Sequence, residues 1–279
     1  MTASRRRLFG NISASILGLT LSPRAFAAET FSVAPLKVAG LDPLEVYAKV
    51  FGSLTPGSEC AWWYMGALPR DVPDVGPVDT IQEETVRVHR TDIVKPGQVD
   101  FIWREVGVFR DIRSGENPPA RFDPVTAKTA TAGTLLGGGK TPARISALKD
   151  GNGLKVSHTI TGQKTEMVAV SASIEGDRVC ITHFEEKTRI VQNGPPAPTN
   201  RTVHKAYASL ADLKSGAPSV PASGFYGVKV RDTGKIFVNG LMHKAAMDER
   251  VNPIAWERLK VAHPTFFKGD RLAPAWDGS

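Results

Sequence analysis

Between Glu59 and Val191 the chain repeats one pattern, a run of β-branched and aromatic residues followed by a turn. Such runs are Glu59 to Leu68 (ECAWWYMGAL), Thr80 to Val94, Val99 to Asp111, Gly153 to Thr161, Thr165 to Glu175 and Arg178 to Val191. Residues of this kind fit the pleated, half-buried surface of a sheet. The connectors Lys95-Pro96-Gly97-Gln98 and Glu175-Gly176-Asp177 are too short to carry a crossover helix, so the strands they join must run antiparallel. Further strands are expected at Thr202 to Leu210, Tyr226 to Arg231 and Lys235 to Asn239. Eight or more strands without a domain-sized linker predict a mainly β fold. It is a single antiparallel meander forming a β-barrel of calycin or lipocalin type, or a closed sandwich.

Helices are expected only at the flanks. Asp42-Pro43-Leu44-Glu45 offers an N-cap, a proline at the first helical position and an acid in the first turn. Asn252-Pro253 opens a second helix carrying Trp256 and Leu259, stopped by Pro264. Two long interruptions, Arg113 to Asn152 and Asn193 to Asn200, read as loops.

The first 27 residues have the layout of a cleaved export signal: Ser4-Arg5-Arg6-Arg7-Leu8-Phe9, an apolar stretch from Ile12 to Leu21, then Ala25-Phe26-Ala27. The arginines before two large apolar residues match a twin-arginine signal. The apolar stretch is about ten residues long, against roughly twenty for a membrane span, so no permanent membrane anchor is expected. Residues 28–279 then form one β-rich domain in the periplasm or outside the cell. The whole chain carries a formal charge of +7, but four arginines and no acids lie in the signal, leaving about +3. That small excess argues against nucleic acid as a partner. Cys60 and Cys180 could form one disulfide or remain two buried thiols.

The runs GSECAWWYMGALP, IWREVGVFRDIRSGE, FDPVTAK and NPIAWERLKVAHPTFF resemble a bacterial family known as domain of unknown function 1838 (DUF1838). The likeness extends from about Gly52 to Asp277, with Asp123-Pro124 standing where the family pattern has Asn-Pro. The resemblance implies an exported, β-rich protein, often with a twin-arginine signal. It implies no activity and no catalytic residues.

Alternation assigns candidates to faces. From Phe101 to Arg110, one face carries Phe101, Trp103, Glu105 and Phe109 and the other Ile102, Arg104, Val106 and Arg110, so whichever points inward brings a charge with it. A carboxylate among aromatics is poised for acid–base work near neutral pH, whereas the plainer alternative is a satisfied ion pair. His158 shares a face with Leu154, Val156 and Ile160 and reads as inward; His183 is a weaker candidate. His89 lies with Glu83, Arg87 and Thr91 on a face that reads as solvated. Glu105, His158 and Tyr64 are the expected proton-transfer groups, while Arg104, Trp103, Trp62 and Lys140 are the expected ligand contacts.

The segment Thr131 to Thr141, TAGTLLGGGKT, resembles a phosphate loop. Thr134 stands where the first required glycine belongs, however, and Pro142 follows directly. We read it as part of a loop over the cavity mouth, where Lys140 can meet an anionic group. No metal-binding histidine spacing, no Gly-X-Ser-X-Gly elbow and no dinucleotide fingerprint occurs. The resulting expectation is an exported barrel, without cofactor or metal, that binds a small apolar or aromatic molecule. It would act as a lyase, isomerase or decarboxylase, the alternatives being a carrier for a hydrophobic ligand or an envelope structural protein.

Overall fold

Strand β1, Glu59–Val72, shows how the barrel is built. Cys60, Trp62 and Tyr64 pack inward with one apolar cluster, while Ala61 and Trp63 pack outward with a second. In a computed structural model, residues 40–72, 76–111, 115, 121–123, 128–130, 134–137, 143–151, 153–160, 163–189, 200–230 and 236–276 are described. The expected export signal lies outside them.

The remaining wall strands are β2 (Gly76–Lys95), β3 (Gln98–Asp111), β7 (Ala143–Asp150), β8 (Gly153–Ile160), β9 (Gln163–Glu175), β10 (Arg178–Arg189), β11 (Asn200–Ser209), β12 (Ser223–Val230) and β13 (Ile236–Ala245). Between β3 and β7 lie short pieces, β4 (Arg121–Asp123), β5 (Lys128–Ala130) and β6 (Thr134–Gly137). Antiparallel pairing runs β1-β13-β12-β11-β10-β9-β8-β7-β3, and β2 pairs with both β3 and β1, closing the ring. The expected antiparallel meander is thus a β-barrel. Among the described residues no helix is long and apolar enough to cross a membrane.

Helix α1, Pro43–Phe51, fills one end of the barrel. The Asp42 side chain accepts from the Leu44 N–H, as its position before proline predicts. Tyr47, Val50 and Phe51 meet Trp62, Phe101 and Ile181, all essentially inaccessible to solvent. Lys244 Nζ donates to the Lys49 and Gly52 carbonyls and to Ser219 Oγ, satisfying the C-terminal end of α1 from inside the barrel. Burial pushes the Lys244 ammonium down to about 8. A short helix, α2 (Leu210–Lys214), follows β11.

Helix α3, Pro253–Ala262, covers the outside of the wall. Trp256 stacks on Trp63 with ring centroids 5.9 Å apart, and Val86, Val88, Val106 and Val108 complete that cluster.

Strand β7 corrects the expected Arg113–Asn152 loop. Its inward residues are Ala143, Ile145 and Ala147; the two alanines are small side chains with weak strand propensity that fit beneath α1. Part of TAGTLLGGGKT is also strand: Gly137 partners Glu105, whereas Ala143 partners Trp103. Residues 138–142 lie between these two pairs in the sequence. Lys140 lies among them, outside the described residues. Because hairpins alternate ends, strands β3 and β10 both finish at the end opposite α1.

Candidate lumenal acid–base site

The β1–β2–β3 register decides which side chains enter the barrel. Trp62 lies opposite Arg87, which lies opposite Glu105; His89 lies opposite Trp103. Since directly opposed residues share a face, Glu83, Thr85, Arg87 and His89 point into the lumen with Trp103 and Glu105. This corrects the solvated reading of the His89 face. The other face of β2 carries Val86 and Val88, which α3 needs as an apolar partner, so the face with Glu83, Arg87 and His89 is driven inward.

For the same reason Arg104, opposite Val88, faces outward beneath α3's side of the wall and cannot hold a lumenal ligand. Trp62 is inward but lies in the dry floor, where its Nε1–H donates to the Phe51 carbonyl at 3.2 Å.

Exposure grades along the lumen. Trp62, Phe101 and Ile181 are 0 % exposed, whereas Tyr64, Glu83, Arg87, Glu105 and Tyr226 retain 6–9 %. The polar row thus lies beside the apolar floor and is slightly less buried than Trp62, Phe101 and Ile181.

Two interactions organise that row. Arg87 Nε and Nη2 donate to the same oxygen, Glu105 Oε2, at 2.8 and 2.7 Å. The guanidinium lies 4.3 Å from the Trp103 ring centroid and 5.2 Å from that of Tyr64. Across the lumen, Glu83 accepts from Tyr226 Oη at 2.9 Å and from Thr85 Oγ1 at 3.0 Å. Burial, helped by the charge of Glu105, pushes the Glu83 carboxyl up to about 7, against the lowering effect of Tyr226, Thr85 and Arg87. Burial and the Glu83 charge hold the Tyr226 phenol well above its ordinary value.

His158 is inward as expected. Its Nε2 accepts the Trp103 indole N–H at 2.8 Å, which places the ring proton of neutral His158 on Nδ1. Nε2 is therefore occupied as an acceptor rather than held ready for a substrate proton. Tyr64 packs edge-on against Tyr226, with centroids 5.0 Å apart, and also near His204. His183 lies opposite His204, its Nδ1 3.2 Å from the Tyr47 hydroxyl. His89 is held neutral, pushed down to about 3 by burial and then by Arg87, with Nδ1 2.7 Å from the Phe51 carbonyl.

The structure thus brings Tyr64, Trp103, Glu105 and His158 together in the lumen and adds Glu83, Arg87 and Tyr226. The signal for Glu83 and Arg87 was the apolar need of α3, which claims one face of β2. Both cysteines are buried and free, Cys60 facing the lumen and Cys180 lying opposite Ser173 and Tyr207. Among the described residues no group of three potential metal ligands occurs.

Two hollows of about 680 and 850 Å³ lie on the outer wall around Met65, Phe225 and Leu241. Neither is lined by Glu105 or His158. They hold more space than chemistry, because the perturbed carboxyl lies on the inner face.

Compared with family models, with curated proteins and with solved structures, the chain matches none.

Proposed function

We propose that this is an exported barrel protein that takes a small apolar or aromatic molecule into its lumen and moves a proton on it without a cofactor. A lyase, isomerase or decarboxylase reaction fits that description. The observation that carries this reading is Glu83. Its carboxyl is poised at about 7 inside an aromatic-lined barrel, hydrogen-bonded to Tyr226. A group titrating near the working pH both accepts and returns a proton efficiently. Glu105, tied to Arg87, serves as the fixed charge beside it. Tyr64 and Trp103 line the site. Export rests on the arginine-rich N-terminal sequence, which places the activity in the periplasm or outside the cell.

The test is native mass spectrometry of protein purified from its own periplasm, followed by turnover assays on the co-purified molecule. Glu83→Gln is expected to retain the molecule and lose turnover by about 100-fold or more. Retention with no turnover in either protein would favour the carrier alternative. Unchanged turnover in Glu83→Gln would remove Glu83 from the mechanism.

A further inference from the structure

Several hydrogen-bond donors of the lumen are turned toward acceptors of the protein itself. Tyr226 and Thr85 hydroxyls both donate to Glu83, Arg87 donates through Nε and Nη2 to Glu105, and the Trp103 indole donates to His158. Acceptor capacity remains beside them. Glu105 Oε1 receives no hydrogen bond from a described residue, and a carboxylate offers about four lone-pair sites.

A separate observation points the same way. His89, 3 % exposed on the lumen face, uses Nδ1 toward the Phe51 carbonyl, and its Nε2 is a buried acceptor without a partner among the described residues. The site also already accommodates one cation in the manner of an aromatic cage, since Arg87 lies over Trp103 and Tyr64 with Glu105 at its edge.

We propose that the lumen selects an organic cation, an aromatic or apolar body bearing an ammonium or amidinium group. The cationic head would sit against Glu83 and Glu105 and the body against Tyr64 and Tyr226. This rests on reading the lumen as the ligand site. An anionic head finds no such partner, because Arg104 faces outward and Arg87 is committed to Glu105. The groups facing Glu83 are Tyr226 on β12, Tyr64 on β1, Thr85 and Arg87 on β2 and Glu105 on β3, so its ionisation governs the charge offered to such a head.

The experiment compares three matched probes on the full-length protein: phenethylammonium, 2-phenylethanol and phenylacetate. Binding is read by calorimetry at about pH 6 and about pH 8, and its place by the shift of the Trp103 Nε1–H resonance. Phenethylammonium is expected to bind at least about ten-fold tighter than phenylacetate. It should also gain up to about ten-fold between the two pH values, as Glu83 ionises. Glu83→Gln, which keeps the side-chain shape, is expected to abolish that gain.

Equal or tighter binding of phenylacetate with a shifted Trp103 signal would overturn the cation assignment and leave the lumen as a ligand site. Saturation by none of the three at millimolar concentration, or binding that leaves Trp103 unmoved, would overturn both. The comparison among probes needs no variant, so it stands even if a substitution unfolds the barrel.

Discussion

Tyr226 Oη donates to Glu83 Oε2 across a floor made by two glycines. Tyr226 on β12 lies opposite Gly240 on β13, Gly240 opposite Gly66 on β1, and Gly66 opposite Glu83 on β2. No side chain stands between the ring and the carboxyl along that row, so two residues three strands apart reach each other. Removing the donor in Tyr226→Phe takes away an interaction that lowers the Glu83 titration. The carboxyl is therefore expected to titrate above about 7, read by carbon NMR of the labelled side chain. The barrel should also lose about 1–3 kcal/mol of stability, because a buried carboxylate oxygen loses its partner.

The glycine floor itself is testable. A Cβ at Gly240 would come within 2.1 Å of the Met65 carbonyl and 2.4 Å of Gly66 Cα, both backbone atoms that cannot swing aside. At Gly153 the nearest atom would be 3.6 Å away, an ordinary contact. Gly240→Ala is expected to cost about 1–3 kcal/mol or more in urea denaturation, while Gly153→Ala stays within about 1 kcal/mol of the parent.

Stability should depend on pH through two opposed groups. Glu83 titrates at about 7 when folded against an ordinary 4.5, so between those values the folded barrel holds a proton that the unfolded chain has released. Stability from this group is therefore full below about 4.5 and falls as pH rises toward 7. His89 titrates at about 3 when folded against 6.5, so its contribution is full above 6.5 and falls as pH drops toward 3. The two slopes oppose each other between 4.5 and 6.5. Glu83→Gln is expected to remove the decline toward neutral pH in thermal melts. A variant curve parallel to the parent's would contradict this assignment.

Arg87 and Glu105 form a nearly buried pair, each side chain 11 % exposed. Breaking it from one side leaves a charge without its partner in the lumen. Arg87→Met or Glu105→Gln is each expected to cost about 3–5 kcal/mol, and the double variant clearly less than the sum. A double-mutant cycle by urea denaturation measures the coupling.

Much of the architecture was legible because it is locally encoded. Turn residues at Lys95-Pro96-Gly97-Gln98 and Glu175-Gly176-Asp177 force antiparallel neighbours, with Gly97 and Gly176 at φ of 78° and 65°. The caps at Asp42 and Asn252 set both flanking helices. The inward place of Glu105, Trp103 and His158 followed from alternation once one face was known. Strand β7 escaped notice because alanines carry little strand signal.

By itself the sequence determined the periodicities: which side chains share a face, where the chain turns, and that a meander results. Only the tertiary structure decided which face is inside. Strand β2 carries charges on both faces, and local propensity ranks neither above the other. The choice was made by α3, more than 150 residues later in the chain, whose Trp256 and Leu259 cover Val86 and Val88 and so turn Glu83, Arg87 and His89 into the lumen. Burial there, not residue type, moves Glu83 to about 7, because a carboxylate withdrawn from water loses solvation that its neighbours only partly replace.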